Sequence, residues 1–168
     1  MSERRKDVRV AAYLFEDLAR NDFEAVLTLA EHRTIRLESA LLVQKHSPER
    51  LRIIEAGDPA AGTTYAAYTA GVWLAVGLLS PTLLAQACGA AIRPDVIDVF
   101  EQYRAAKGIV TTMESALPDG SGGIVTIYDT SDAGTVGLAL ANAIKTTVLC
   151  VDAVSATALK DALTRSLG

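Results

Sequence analysis

Two strand–helix–strand runs, at residues 8–45 and 124–151, flank a segment without one charged side chain. This pattern predicts an α+β chain of the ferredoxin-like type, in which two βαβ units pair into one antiparallel sheet with helices on a single face. The 168 residues form a single domain. Its body spans 8–58 and 118–168, and an inserted helical region spans 59–117, comprising an uncharged hairpin at 59–92 and an extra helix. A flavodoxin-like parallel sheet, the alternative, needs more βα repeats than the chain holds.

The elements follow in chain order. Val8 to Phe15 predicts a strand, and Phe23, Val26, Leu27 and Ala30 mark one face of a helix that Asp17 or Asn21 can cap. Leu37–Val43 and Leu51–Glu55 predict a β-hairpin about a His46-Ser47-Pro48 turn. Pro94 suits a first helical position, and the apolar face from Val96 to Leu117 predicts one helix bent at Gly108 or two short ones. Pro118–Gly123 is a loop by composition and leads into the β-branched strand Ile124–Tyr128. Ser131 is expected to cap a helix with Ala133, Val136, Leu140, Ala141 and Ile144 inward. The strand Thr147–Val151 follows, then a closing helix capped by Ser155, with Leu159, Leu163 and Leu167 on one face.

Between Asp58 and Arg93 the chain carries no Asp, Glu, Lys or Arg. Ser80-Pro81 predicts two helices there, of roughly 20 and 11 residues. Small residues recur four apart, as Gly62/Ala66/Ala70 and Ala67/Gly71/Ala75, a spacing that lets helix backbones approach closely. Tyr65, Tyr68, Trp73, Leu74 and Leu78 carry the bulk. Three environments fit such a hairpin: core within one subunit, burial between copies, and contact with lipid. Burial between copies leads, because a chain with its own sheet-and-helix core has little left to cover a hairpin apolar on all sides. The expected self-association residues are therefore Gly62, Ala66, Ala67, Tyr68, Ala70, Gly71, Trp73, Leu74, Ala75 and Leu78. Lipid is the possible second partner, through an anchor at Tyr65–Leu79.

Composition narrows the function classes. Hydrophobic residues are 50% and charged residues 21%, which excludes a disordered chain, and a net charge of −4 argues against nucleic acid as partner. Two cysteines without a Cys-x-x-Cys pair, and a charged Met-Ser-Glu-Arg-Arg-Lys-Asp start in place of a signal sequence, suggest a cytoplasmic protein. No catalytic, cofactor-binding or metal-ligating residue is expected. His32 and His46 lack a third ligand at close spacing. Cys88 and Cys150 read as packing thiols. Asp129, Ser131 and Asp132 read as helix-capping groups rather than an acid–base pair. The resulting expectation is a non-enzymatic homo-oligomer that self-associates through the hairpin, with a membrane-associated protein and a small-ligand sensor as alternatives.

Several blocks resemble a bacterial family of unknown function described as predicted membrane proteins. They are Leu14-Phe15 to Asp17-Leu18, the run Ile35–Val43, the glycine- and alanine-rich stretch from Gly62, and Ala116–Ser121. In order, they cover most of the chain. The resemblance implies a ferredoxin-like fold with an apolar insertion and a stress-related or envelope-associated role. It brings no catalytic residue.

Overall fold

The computed structural model describes residues 5–47, 50–58, 63–64, 70–88 and 92–167. Its six strands form one antiparallel sheet: β1 (Arg5–Tyr13), β2 (Leu37–Ser47), β3 (Arg50–Asp58), β4 (Thr63–Thr64), β5 (Gly122–Asp129) and β6 (Lys145–Asp152) lie in the order β4-β3-β2-β5-β1-β6. β5 sits at the centre of the body, and all eight of its residues, GGIVTIYD, are buried. Such a continuous run is what a strand needs when both faces of its sheet are covered.

Both faces are covered here, which corrects the expected single helical layer. On one side α1 (Glu16–Glu31) and α6 (Ala133–Ala139) bury Phe23, Val26 and Val136 against Tyr13, Leu42, Ile124 and Tyr128. On the other lie α2 (Ala70–Leu79), α3 (Pro81–Cys88), α4 (Pro94–Ala106), α5 (Val110–Ala116) and α7 (Ala153–Leu167), packed on Val8, Val10, Leu41, Val43, Val125 and Ile127. Alternate residues of β1 and β5 feed the two cores in turn, as the two-residue period of a strand requires.

Several boundaries differ from expectation for local reasons. β1 stops at Tyr13, and Leu14 and Phe15 stand 65% exposed in the turn before α1. The N-cap of α1 is Phe15, without a side-chain cap. Glu16 and Asp17 instead place negative charge in the first turn, where the helix dipole favours it. Asp129, not Ser131, caps the 3-10 turn Thr130–Asp132, accepting from the Ser131 N–H at 3.2 Å. Likewise Asp152 accepts from the Ser155 N–H at 2.9 Å, so Ser155 lies inside α7. Helix α6 ends at Ala139 and leaves Ile144 53% exposed rather than inward. The extra helix is two, parted by Gly108 at φ +66°, a conformation glycine adopts without Cβ strain.

The first uncharged helix is shorter than predicted. Thr63–Thr64 pairs with Gly57 and Asp58 as strand β4, consistent with the preference of β-branched residues for extended backbone. The described part of α2 runs from Ala70 to Leu79. Residues 59–62 and 65–69 lie outside the described chain, and with them Gly62, Tyr65, Ala66, Ala67 and Tyr68.

Candidate functional site

Two apolar stripes that face the helical layer each end in a cation. On β2 the alternation Leu41, Val43, Lys45 carries two core aliphatics and then an ammonium. On α4 the four-residue spacing Val96, Phe100, Arg104 ends in a guanidinium. Lys45 and Arg104 are each only 9% exposed. Buried cations are costly without compensating interactions, so their placement sets the chemistry of the space between them.

Lys45 is held by the segment after α5. Its Nζ donates to the Leu117 carbonyl at 2.7 Å and lies 3.7 Å from Asp119 Oδ1, a carboxylate 59% exposed. The Lys45 N–H donates to the Ser121 carbonyl at 3.0 Å, and the Gly120 N–H donates to the Lys45 carbonyl at 2.7 Å. Gly120 has φ +85°, so the turn that brings its N–H to β2 favours glycine. The Pro118–Gly123 loop is thus a clasp on Lys45 rather than a free connection.

A cavity of about 650 Å³ opens between these groups. Leu51, Leu79, Leu83, Met113 and Leu117 supply apolar walls, while Lys45, Arg104, Ser80, Thr82, Gln86 and Glu101 supply polar atoms. Its size falls within the ordinary range for small-molecule sites, roughly 300–1,000 Å³. A second hollow of about 480 Å³ shares Leu51, Leu83 and Gln86 with the first and runs on to Ile53 and Trp73. The two hollows adjoin at these shared residues as a trough between β3 and helices α2 and α3.

Of the residues expected to mediate self-association, Ala70, Gly71, Trp73, Leu74, Ala75 and Leu78 fall within the described chain. Leu74, Ala75 and Leu78 are at most 1% exposed, packed in the core of their own subunit. Gly71 is buried with its open side to β2, where a Cβ would stand 2.9 Å from the Glu38 carbonyl oxygen. Ala70 opens α2, and Trp73 is half-buried at the trough. Gly71 therefore serves close approach to the chain's own sheet, and Gly77 close approach to Phe100 of α4. Among the described residues, no helix is long and apolar enough to cross a membrane.

Elsewhere the polar groups are structural. Asp22 accepts from the Tyr13 hydroxyl at 2.8 Å, the Asn142 N–H at 3.0 Å and Asn142 Nδ2 at 2.8 Å, tying β1, α1 and the turn after α6 together. Burial, reinforced by the Asp22 hydrogen bond and charge, pushes the Tyr13 phenol far above its ordinary value. Asp132 accepts from the Arg36 N–H at 2.8 Å, and Thr130 donates to Asp7 at 2.9 Å. His32 is the C-cap of α1. Cys150 is exposed, not packed, because β6 is an edge strand over which α6 does not extend. Among the described residues no group of three or more His, Cys, Asp or Glu could hold a metal ion.

No protein-family model, curated protein or solved structure matches the chain.

Proposed function

We propose that this protein is a non-enzymatic small-ligand-binding module, a sensor that holds its ligand between the inserted helices and a ferredoxin-like body. The strand order supports the body's assignment. With its four strands counted along the chain, β6-β1-β5-β2 reads 4-1-3-2, and the two βαβ helices share one face. The observation that carries the function is the cavity of about 650 Å³ with two buried cations in its wall. Pockets with apolar walls and a few convergent polar groups are the usual form of ligand sites.

The test uses the fluorescent probe 8-anilinonaphthalene-1-sulfonate. Wild type is expected to bind it saturably at one site. Leu83→Trp, which fills the trough where its two hollows meet, abolishes binding while circular dichroism stays native. Equal binding by the filled variant, or no saturable site in wild type, overturns the reading.

A second reading, self-association into a homo-oligomer, is favoured by β6. Among the described residues no strand pairs with its outer edge, and beside it Ile144 and Val148 are 53% and 44% exposed. Unprotected edges of this kind template pairing with another chain. Light scattering on wild type and Val148→Lys tests it: a multimer that dissociates in the variant supports it, and a wild-type monomer refutes it. We further propose a cytoplasmic location, which suits the free and exposed thiol of Cys150.

A further inference from the structure

We infer that two copies of this chain join along β6 about a twofold axis, their strands antiparallel, so that Lys145 of each copy lies beside Asp152 of the other. The inference rests on the self-association reading and adds the orientation of the pair and the charges that select it.

Backbone geometry makes β6 the open end of the sheet. All eight of its residues, Lys145 to Asp152, pair with β1 without a register shift, so the N–H and C=O groups on its outer side form an unbroken row. Among the described residues nothing pairs with that row. The opposite edge ends in β4, two residues long, and so short an edge strand offers little to an incoming chain. β6 has no such protection, because Thr146–Val151 contains no proline, no bulge and no charge. Its side chains alternate. Leu149 and Val151 turn to the layer that holds α7, which leaves Thr146, Val148 and Cys150 exposed on the other face of the sheet.

Charge names the occupant. β6 carries a cation at its first residue, an anion at its last and no charge between them. Lys145 Nζ donates to the neutral Ser115 carbonyl at 2.7 Å and makes no salt bridge among the described residues. Asp152 accepts from the Ser155 N–H and makes none either: Arg5, opposite it on β1, forms no salt bridge with it, and Lys107 acts on it from beyond that range. A second β6 running antiparallel sets unlike ends together at both ends of the interface, whereas a parallel one sets like against like. A twofold pair matches residues on the same face, so the axis falls at Val148 or at Leu149, the two registers in which Lys145 is diagonal to Asp152 of the other copy. Val148 is covered in both, by Val148 of the second copy in one and by its Cys150 in the other. Exposed charge pairs add little affinity and chiefly fix orientation; the backbone ladder and the covered valines hold the pair.

Charge reversal followed by mixing is the experiment. Sedimentation equilibrium at low salt is run on wild type, Val148→Lys, Lys145→Glu, Asp152→Lys and an equimolar mixture of the last two, with circular dichroism on each. Wild type is expected to be a dimer. Each reversal weakens it about tenfold or more, because the change acts twice per symmetric dimer and turns attraction into repulsion. In the mixture each reversed charge faces its opposite, so association returns to wild-type strength as a heterodimer. That recovery also guards against the loss of the Asp152 cap on α7, since a variant that fails to fold is not rescued by mixing. A wild-type monomer, or a dimer indifferent to Val148→Lys, overturns this inference and the self-association reading together. A dimer that Val148→Lys dissociates but neither reversal weakens, or reversals that weaken it without recovery on mixing of folded variants, overturns the antiparallel charge-matched arrangement and leaves the self-association reading standing.

Discussion

Gly71→Leu separates burial within a subunit from burial between copies. In the structure a Cβ at position 71 stands 2.9 Å from the backbone oxygen of Glu38, 3.4 Å from its Oε1 and 3.5 Å from its Cγ. The first of these belongs to strand β2 and cannot swing aside as a flexible side chain would. α2 must move outward instead, opening the contact among Val72, Ala75, Leu41 and Val43 and loosening Glu38 from Lys160, which ties β2 to α7. Overpacking of this kind costs about 1–3 kcal/mol, and a full leucine against backbone belongs at the upper end. With a urea slope of about 2 kcal/mol per molar, the midpoint falls by about 1–1.5 M. Paired urea unfolding and light scattering give the result. The reasoning predicts the lower midpoint with subunit number unchanged. An unchanged midpoint together with an altered particle mass would show that Gly71 meets another copy, and would refute it.

Two further predictions concern the polar ties that hold the layers. Asp22→Ala leaves the fully buried Tyr13 hydroxyl and the Asn142 amide without their acceptor, and unfolding in urea should register a loss of about 3 kcal/mol, with Asp22→Asn in between; a loss below 1 kcal/mol would show the triad to be incidental. Burial pushes the Glu38 carboxyl up, but hydrogen bonding and charge from Lys160 and Lys6 outweigh it and hold the group below its ordinary value. Its stabilisation is therefore complete above the unfolded value of about 4.3 and is lost as pH falls through the lower folded value. Glu38→Gln should cost on the order of 1–2 kcal/mol at pH 7 and progressively less below pH 4, measured as urea midpoints across pH; a constant difference would contradict the linkage.

The body's strands were legible because 8–13, 37–43 and 124–128 are short apolar or β-branched runs bounded by turn and loop residues. The coverage of the second face was not. The run GVWLAVGLL is apolar all round, and no local signal distinguishes a helix covered by its own sheet from one covered by a partner. Lys45 and Arg104 were missed for a related reason: each sits one period beyond an apolar stripe, where a charge usually marks the stripe's end at solvent. Extending the two-residue and four-residue spacings by one step would have flagged both. The misplaced caps at Ser131 and Ser155 show a different ambiguity. Asp and Ser cap comparably, both types occur within three residues of each helix start, and the earlier aspartate took the role in both cases.

The most direct test of the central claim is a methyl- and indole-resolved NMR spectrum recorded with and without 8-anilinonaphthalene-1-sulfonate. The account predicts saturable shifts at Leu83, Met113, Leu117 and the Trp73 indole, with Val26 and Val136 on the opposite face of the sheet unmoved. No saturable shift, or shifts spread evenly over both faces, would contradict it.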